Sequence, residues 1–463
     1  MAEHLRYVST RGRSPAQGIE DVLIAGLAPD GGLFLPQSWP QLSRAEIASF
    51  RGKPYALVAR EILGRLLGGL GEDVLDREIP RAYAEFASED VAPLREIADG
   101  RFLLELFHGP TLAFKDIALQ LLGGLLAQAL RRRGQRATVL AATSGDTGSA
   151  AIAALGGREG IELFVIHPLG RVSEVQRRQM TTSRHVNVHN IALEGSFDDA
   201  QAIVKALFAD REFAAEQNLT AVNSINFVRI AAQAVYYFTA AAALGVAPTF
   251  VVPTGNFGDV FAGEAAMRMG LPVEQLIIAT NANDILTRTF ATGTYAVGSV
   301  QATLSPSMDI QVASNFERAL YEALGRDANA CRTAMEQFAL RRSLAIAPAA
   351  LEALRARYGA VAISDAQTLA AIARHYENTG QLVDPHTAVA LAAADGLTLE
   401  GPLVMLATAH PAKFPDAVRT ATGQIPPLPE RLRALYEGEE RQTVLANDLD
   451  LVRNFITSRA GAK

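Results

Sequence analysis

The 463-residue sequence predicts an α/β protein, with two parallel-sheet α/β lobes and an additional N-terminal, mostly helical domain. Three observations carry this expectation. From about residue 100, short apolar runs alternate with helical stretches, the pattern of a parallel sheet covered on both faces. A strand–polar turn–helix unit occurs twice, around Thr143–Ser149 and around Thr254–Asp259, which places the carboxyl ends of two sets of strands on one cleft. The apolar share of 49% and charged share of 20% are those of a globular chain with large cores. The expected division is an N-terminal domain over 1–95, a first lobe over 96–245, a second lobe over 246–425 and a helical tail over 426–463.

The elements follow in order. Residues 1–95 read as helical but punctuated: Ala28-Pro29-Asp30-Gly31-Gly32 is a turn, and Tyr55–Leu70 spaces its apolar residues as an amphipathic helix. Phe102–Leu106 reads as a strand, Ala118–Leu130 as a helix and Ala137–Ala142 as a buried strand. A helix from Ala150, a strand over Leu163–Ile166 and an alternating strand over Val186–Leu193 come next. The second unit runs from the strand Pro248–Pro253 through the helix Val260–Arg268 to the strand Leu276–Thr280.

Composition excludes several classes. A net charge of −6 argues against a broad nucleic-acid surface. Cys331 is the only cysteine, so no intramolecular disulfide is possible and a reducing compartment is expected. The first fourteen residues lack an apolar signal core, and Gln233 interrupts the most apolar stretch, Ile230–Ala247. The expected location is the cytoplasm, with no membrane partner. Metal binding is not expected: His185 and His189 fall in an alternating strand pattern, and there is no H-E-x-x-H. Only five of the 43 basic residues are lysines, so a titratable amine has few places to reside.

One of the five is Lys115, which follows the apolar Leu112-Ala113-Phe114 and precedes an apolar helix. An amine against apolar walls has a lowered pKa and serves as a nucleophile toward a carbonyl. A lysine snorkelling at a helix start is the structural alternative, but a helix N-terminus is the wrong end for a structural cation. Thr254–Asp259 is a glycine-bearing strand-to-helix turn that suits a phosphate, although a plain tight turn reads the same way. The loop Thr143–Ser149 carries four hydroxyls, either a helix cap or a cradle for a multi-oxygen anion. Asn223–Arg229 joins amides, a hydroxyl and a guanidinium ahead of a long apolar helix. Asp384-Pro385-His386-Thr387 reads as a helix N-cap, and Thr408–Phe414 follows another strand.

Taken together these segments resemble the threonine synthases, of the pyridoxal-phosphate (PLP) fold-type II, tryptophan-synthase-β-like family. The resemblance rests on Tyr7–Gly12 with Asp30–Phe34, His108–Asp116, Thr143–Gly148, Asn223–Asn226, Pro253–Asp259, Gln301–Ser305 with Met308-Asp309, and Thr408–Phe414. It implies that Lys115 carries PLP as a Schiff base and moves protons, and that Gly255, Asn256, Phe257, Gly258 and Asp259 bind the PLP phosphate. It places Thr408 beside the pyridine nitrogen and Asp146 near the 3′-oxygen, where many relatives carry asparagine. Thr143, Ser144, Thr147, Asn223, Ser224 and Arg229 match positions that handle the substrate's carboxylate and phosphate. The implied reaction turns O-phospho-L-homoserine and water into L-threonine and phosphate, in a monomer or homodimer. The rival expectations are a serine or threonine dehydratase of the same fold, and a catalytically silent homologue that senses a ligand.

Overall fold

The computed structural model describes residues 5–221, 223–397 and 400–460. The chain opens with an antiparallel pair, Tyr7–Ser9 against Phe34–Pro36, and four helices, Ile19–Ala25, Arg44–Ala48, Tyr55–Leu67 and Glu72–Tyr83. In Tyr55–Leu67 the buried residues Tyr55, Val58, Ala59, Ile62, Leu63 and Leu66 recur at helical spacing. That stripe packs on Phe227–Leu244, and Glu72–Tyr83 packs on Lys115–Arg133. Phe227–Leu244 is long and apolar enough to cross a membrane, with a mean hydropathy of 1.3, but 83% of it is buried inside the protein as its central helix.

Two sheets follow. The larger has the order Tyr358–Ala362, Gln275–Thr280, Thr249–Pro253, Leu403–Ala407, Arg101–Glu105, Leu94–Ala98; the first five strands are parallel and the last is antiparallel. The smaller, wholly parallel, has the order Thr443–Ala446, Val188–Glu194, Ile161–Pro168, Ala137–Ala142, Leu219–Thr220. Thr249–Pro253, Leu403–Ala407 and Ile161–Pro168 are buried along their whole length, as strands covered by helices on both faces must be.

Strand pairing corrects the expected lobe limits in two places. The strand expected at 102–106 within the first lobe pairs with Leu403–Ala407 and so belongs to the larger sheet. The tail expected to be helical contributes the strand Thr443–Ala446 to the edge of the smaller sheet before its helix Leu449–Ala460, which seats Val452 and Ile456 on that sheet. In both cases the partner strand lies far away in sequence, so local pattern carries no record of the pairing.

Three neighbouring strands of the larger sheet, Thr249–Pro253, Leu403–Ala407 and Arg101–Glu105, end side by side. Their carboxyl-end loops are Thr254–Phe257, Thr408–Phe414 and Leu106–Phe114. Leu106 N donates to Ala407 O (2.9 Å), Phe114 N to Thr408 O (2.9 Å) and His410 N to Leu112 O (3.0 Å), knitting two of them together.

The N-terminal domain reaches this centre through Arg318, which is fully buried. Arg318 Nε donates to Phe34 O (3.1 Å), Nη2 to Ile225 O (2.6 Å) and Nη1 to Asn315 Oδ1. Burial pushes its pKa down to about 9, which still leaves it charged at neutral pH. Removing it strands buried carbonyls, each worth about 1–3 kcal/mol. Arg318→Ala is therefore expected to lower unfolding free energy by about 3 kcal/mol or more, read by urea denaturation; a loss under about 1 kcal/mol would show that the tether is dispensable.

Candidate active site

Lys115 opens the helix Lys115–Arg133, whose first turn is set by Asp116. Asp116 Oδ2 accepts from Thr111 N (2.8 Å) and Oδ1 from Thr111 Oγ1 (2.6 Å). Gly109 is required beside it, because a Cβ there would stand 2.4 Å from Asp116 Cβ. The tight turn also puts Leu112 at φ +63°, a left-handed conformation. Lys115 Nζ lies 4.8 Å from the centroid of the Phe114 ring and 3.3 Å from Asp146 Oδ2. Burial lowers the pKa of this amine; Asp146 opposes the shift, while Lys413 and Arg229 add to it.

Asp146 is the hub. It begins the helix Asp146–Leu155 of the smaller lobe, after Gly145 at φ +135°. Its Oδ1 takes Lys413 Nζ (2.8 Å) and Gln176 Nε2 (2.9 Å); its Oδ2 takes Lys115 Nζ and Ser307 Oγ (3.1 Å). Burial alone would raise the carboxyl pKa. Lys413, then Lys115 and His386, overcome that and hold it well below the usual carboxylate range, so Asp146 is ionised.

The hydroxyl-rich loop divides by role. Thr143 Oγ1 accepts from Gly145 N and Gly148 N, both at 2.9 Å, and Ser149 Oγ donates to Gly145 O (3.1 Å), so these two build the turn. Ser144 and Thr147 are half-buried.

Across the cleft, Phe257 at φ +65° leads into the helix Gly258–Arg268, which has no side-chain cap. A helix end of this kind offers free N–H groups and a positive dipole to an anion. A Cβ on Gly255 would come 3.1 Å from Ser307 O and 3.2 Å from Met308 Cα, so backbone closes over the loop there. Asn256 O accepts from Asn315 N (3.0 Å) and Nδ2 (3.1 Å), and Asn315 Nδ2 also donates to Ser224 O (3.1 Å). Asp259 accepts from Tyr236 OH and from Tyr237 OH (3.1 Å), with Oδ2 unpartnered; burial raises its pKa to about 6. Arg229 is 4% exposed, forms no salt bridge among the described residues, and has an unpartnered Nε. Its pKa falls to about 10 through burial, so it remains a cation. Asn223 is exposed and its Oδ1 accepts from Ile225 N (3.2 Å), a turn-forming contact. Thr408 is buried, and its carbonyl receives Phe114 N, the residue before Lys115.

Contacts therefore run from Lys115 to Asp146 to Ser307 to Gly255, and from Asn256 through Asn315 to Ser224. Sequence reading missed four of the groups around this path: Lys413, Gln176, Ser307 and Asn315. Only Lys413 left a signal, as one of five lysines and a member of the Thr408–Phe414 segment. His386 and Asp384 go beyond the cap they were read as. Asp384 Oδ1 does accept from Thr387 N (3.0 Å), but Oδ2 also holds His386 Nδ1 (2.6 Å), whose Nε2 accepts from Ser307 N (3.2 Å).

A buried amine facing an uncapped, glycine-bearing helix N-terminus fits an aldehyde-bearing phosphate such as PLP. A family model described as "Pyridoxal-phosphate dependent enzyme" matches residues 94–359, and fold and site together define that class. Models described as "Threonine synthase N terminus" and "Threonine synthase, C-terminal" match 6–83 and 387–456. The chain belongs to the threonine synthase family. It is similar to the threonine synthase of Pseudomonas aeruginosa (50% identity, 98% of each chain) and that of Corynebacterium glutamicum (42%, 97% of this chain and 98% of the other). Among solved structures it is similar to a PLP-bound threonine synthase from Brucella melitensis (49% identity, TM-score 0.96, covering 99% of this chain and 100% of the other). It is also similar to the yeast threonine synthase (36%, TM-score 0.93, 99% of each).

Gly255→Ala is expected to force the Ser307–Met308 backbone off the loop and weaken PLP affinity about tenfold, roughly 1.4 kcal/mol. Titration of cofactor-stripped protein with PLP reads this directly; unchanged affinity would remove the loop from the cofactor site.

Proposed function

We propose that this chain converts O-phospho-L-homoserine and water into L-threonine and phosphate, by γ-elimination of phosphate and β-addition of water, with Lys115 as the catalytic lysine. The observation that carries the reading is a largely buried amine, Lys115, paired with Asp146 in a cleft that also buries Arg229, which has no carboxylate partner among the described residues. Bound PLP supplies an electron sink for the carbanions of the amino acid.

The chain's own residues bind, orient and move protons. Lys115 would hold the cofactor's carbonyl carbon, with Gly255, Asn256, Phe257, Gly258 and Asp259 around the cofactor phosphate, largely through main-chain N–H groups. Thr408 would lie at the ring nitrogen and Asp146 near the 3′-oxygen. When substrate takes its place, Lys115 Nζ would take the α-proton, hand it back to the bound substrate–cofactor conjugate, and only then, neutral again, take a β-proton. Its depressed pKa suits this, since only the unprotonated amine can accept them.

Ser144 and Thr147 would receive the substrate carboxylate, on a turn that Thr143 holds in shape. Asn223, Ser224 and Arg229 would receive the substrate phosphate. A guanidinium matches a phosphate bidentately, and a buried one without a partner gains most from it. A dehydratase acting on serine or threonine has no use for that second anion site. Closure of the two lobes over the substrate keeps stray water from the reacting carbons.

Mixing the holoenzyme with O-phospho-L-homoserine should release phosphate and threonine in equal amounts; ammonia and an oxoacid from serine or threonine instead would establish the dehydratase. Lys115→Ala should fold, lose the visible absorption of bound PLP and lose about 10³-fold or more in turnover; a substantially active variant would remove Lys115 from the chemistry. Arg229→Met should raise KM for O-phospho-L-homoserine about 10- to 100-fold, the worth of a charge-assisted contact, while cofactor absorption persists.

A further inference from the structure

The cluster around Asp146 holds one more amine than the reaction uses. Lys413 belongs to the short turn Pro411–Lys413 and is completely buried. Its Nζ donates to Asp146 Oδ1 (2.8 Å) and to Thr111 O (2.8 Å). Stability alone is a poor reason for it, because a buried ion pair is often no better than apolar side chains of the same volume.

The arrangement of charge offers a better reason. Asp146 faces Lys115, Lys413 and His386 and accepts from Gln176 and Ser307. Lys115 faces Asp146, Lys413 and Arg229, and its charge is felt by Asp259. With Asp146 as its undivided partner, Lys115 would be held as an ammonium, and an ammonium is neither a nucleophile nor a base. Lys413 takes the other carboxylate oxygen and adds a second positive charge to the cluster.

We propose that Lys413 is a positioning residue for the reaction: it neutralises Asp146 across the two lobes, so that Lys115 is aligned by the carboxylate without being locked to it as an ion pair. The proposal rests on Lys115 being the working amine.

The experiment reads Lys115 itself. The full chain, stripped of cofactor, is acetylated at graded pH, and the Lys115 peptide is followed by mass spectrometry; only the neutral amine reacts. Lys413→Met should raise the pH midpoint of Lys115 by about one unit, since the carboxylate is then undivided. Asp146→Asn should lower it, since two cations then face each other. The Asp146→Asn/Lys413→Met double variant should return it close to the unmodified protein, and Lys413→Arg should leave it there. In the holoenzyme, the pH profile of kcat/KM should move upward in Lys413→Met and be restored in Lys413→Arg. A midpoint unchanged or lowered in Lys413→Met overturns the proposal. If that variant does not fold, the comparison moves to the Asp146→Asn background, where adding Lys413→Met must raise the midpoint; no rise overturns it equally. Because the readout is an amine and not turnover, an error in the substrate leaves this result standing.

Discussion

One buried carboxylate between two lysine amines governs the centre of this molecule. Asp146 rides on the first turn of a helix in the smaller lobe, whereas Lys413 and Lys115 follow strands of the larger sheet. The two lobes are thus joined at the cleft by charge, in addition to the apolar core that runs through both sheets. Ion pairs cost heavily to bury and repay that cost only when geometry is good and the remaining lone pairs are filled. Here they are filled: Gln176 and Ser307 supply the other donors to Asp146.

The remaining architecture serves that hub. Helix Glu174–Thr181 brings Gln176 to Asp146 and also Gln179 to the Thr111 carbonyl (3.0 Å), which Lys413 shares. The tail grips the same helix, with Arg177 on Glu440 (2.8 Å) and Thr181 on Glu440 (2.7 Å). It also reaches the loop before Lys115, where Arg431 donates to Gly109 O (2.8 Å). On the opposite side the N-terminal domain buttresses the helix that carries Arg229: Tyr55–Leu67 lies along it, and Arg318 ties Phe34 to Ile225, two residues ahead of its start. Among the described residues, no side chain of 1–95 hydrogen-bonds or ion-pairs with Lys115 or Asp146, so this domain reaches the site only through the elements it packs on.

What could be read in advance follows from what is local. Lys115 was legible because an amine after three apolar residues at a helix start is chemically out of place as structure. The loops at Thr143 and Thr254 were legible because glycine and hydroxyl residues punctuate strand-to-helix joins. Sheet membership was not: Phe102–Glu105 carries no mark of its pairing with Leu403–Ala407, three hundred residues on, and Thr443–Ala446 alternates too weakly to stand out from a charged tail. Nor were Gln176 and Ser307, whose value lies only in where the fold brings them. Thr143 marks the limit of composition: its hydroxyl belongs to a set that reads as a ligand cradle, yet it accepts two backbone N–H groups of its own turn.

Charge balance in the site favours an anionic ligand. Lys413 and Asp146 cancel, burial raises the Asp259 carboxyl to about 6, and burial lowers the pKa of the Lys115 amine. Arg229 is left as a positive charge, 4% exposed and without a carboxylate partner among the described residues. Such a group costs several kcal/mol in the empty protein. A ligand that brings a phosphate to it recovers that cost on binding, and one without a phosphate does not. In the proposed reaction, discrimination against an unphosphorylated amino acid would follow from the expense of a stranded guanidinium, because a site with a buried polar group rejects the analogue that leaves it unpaired.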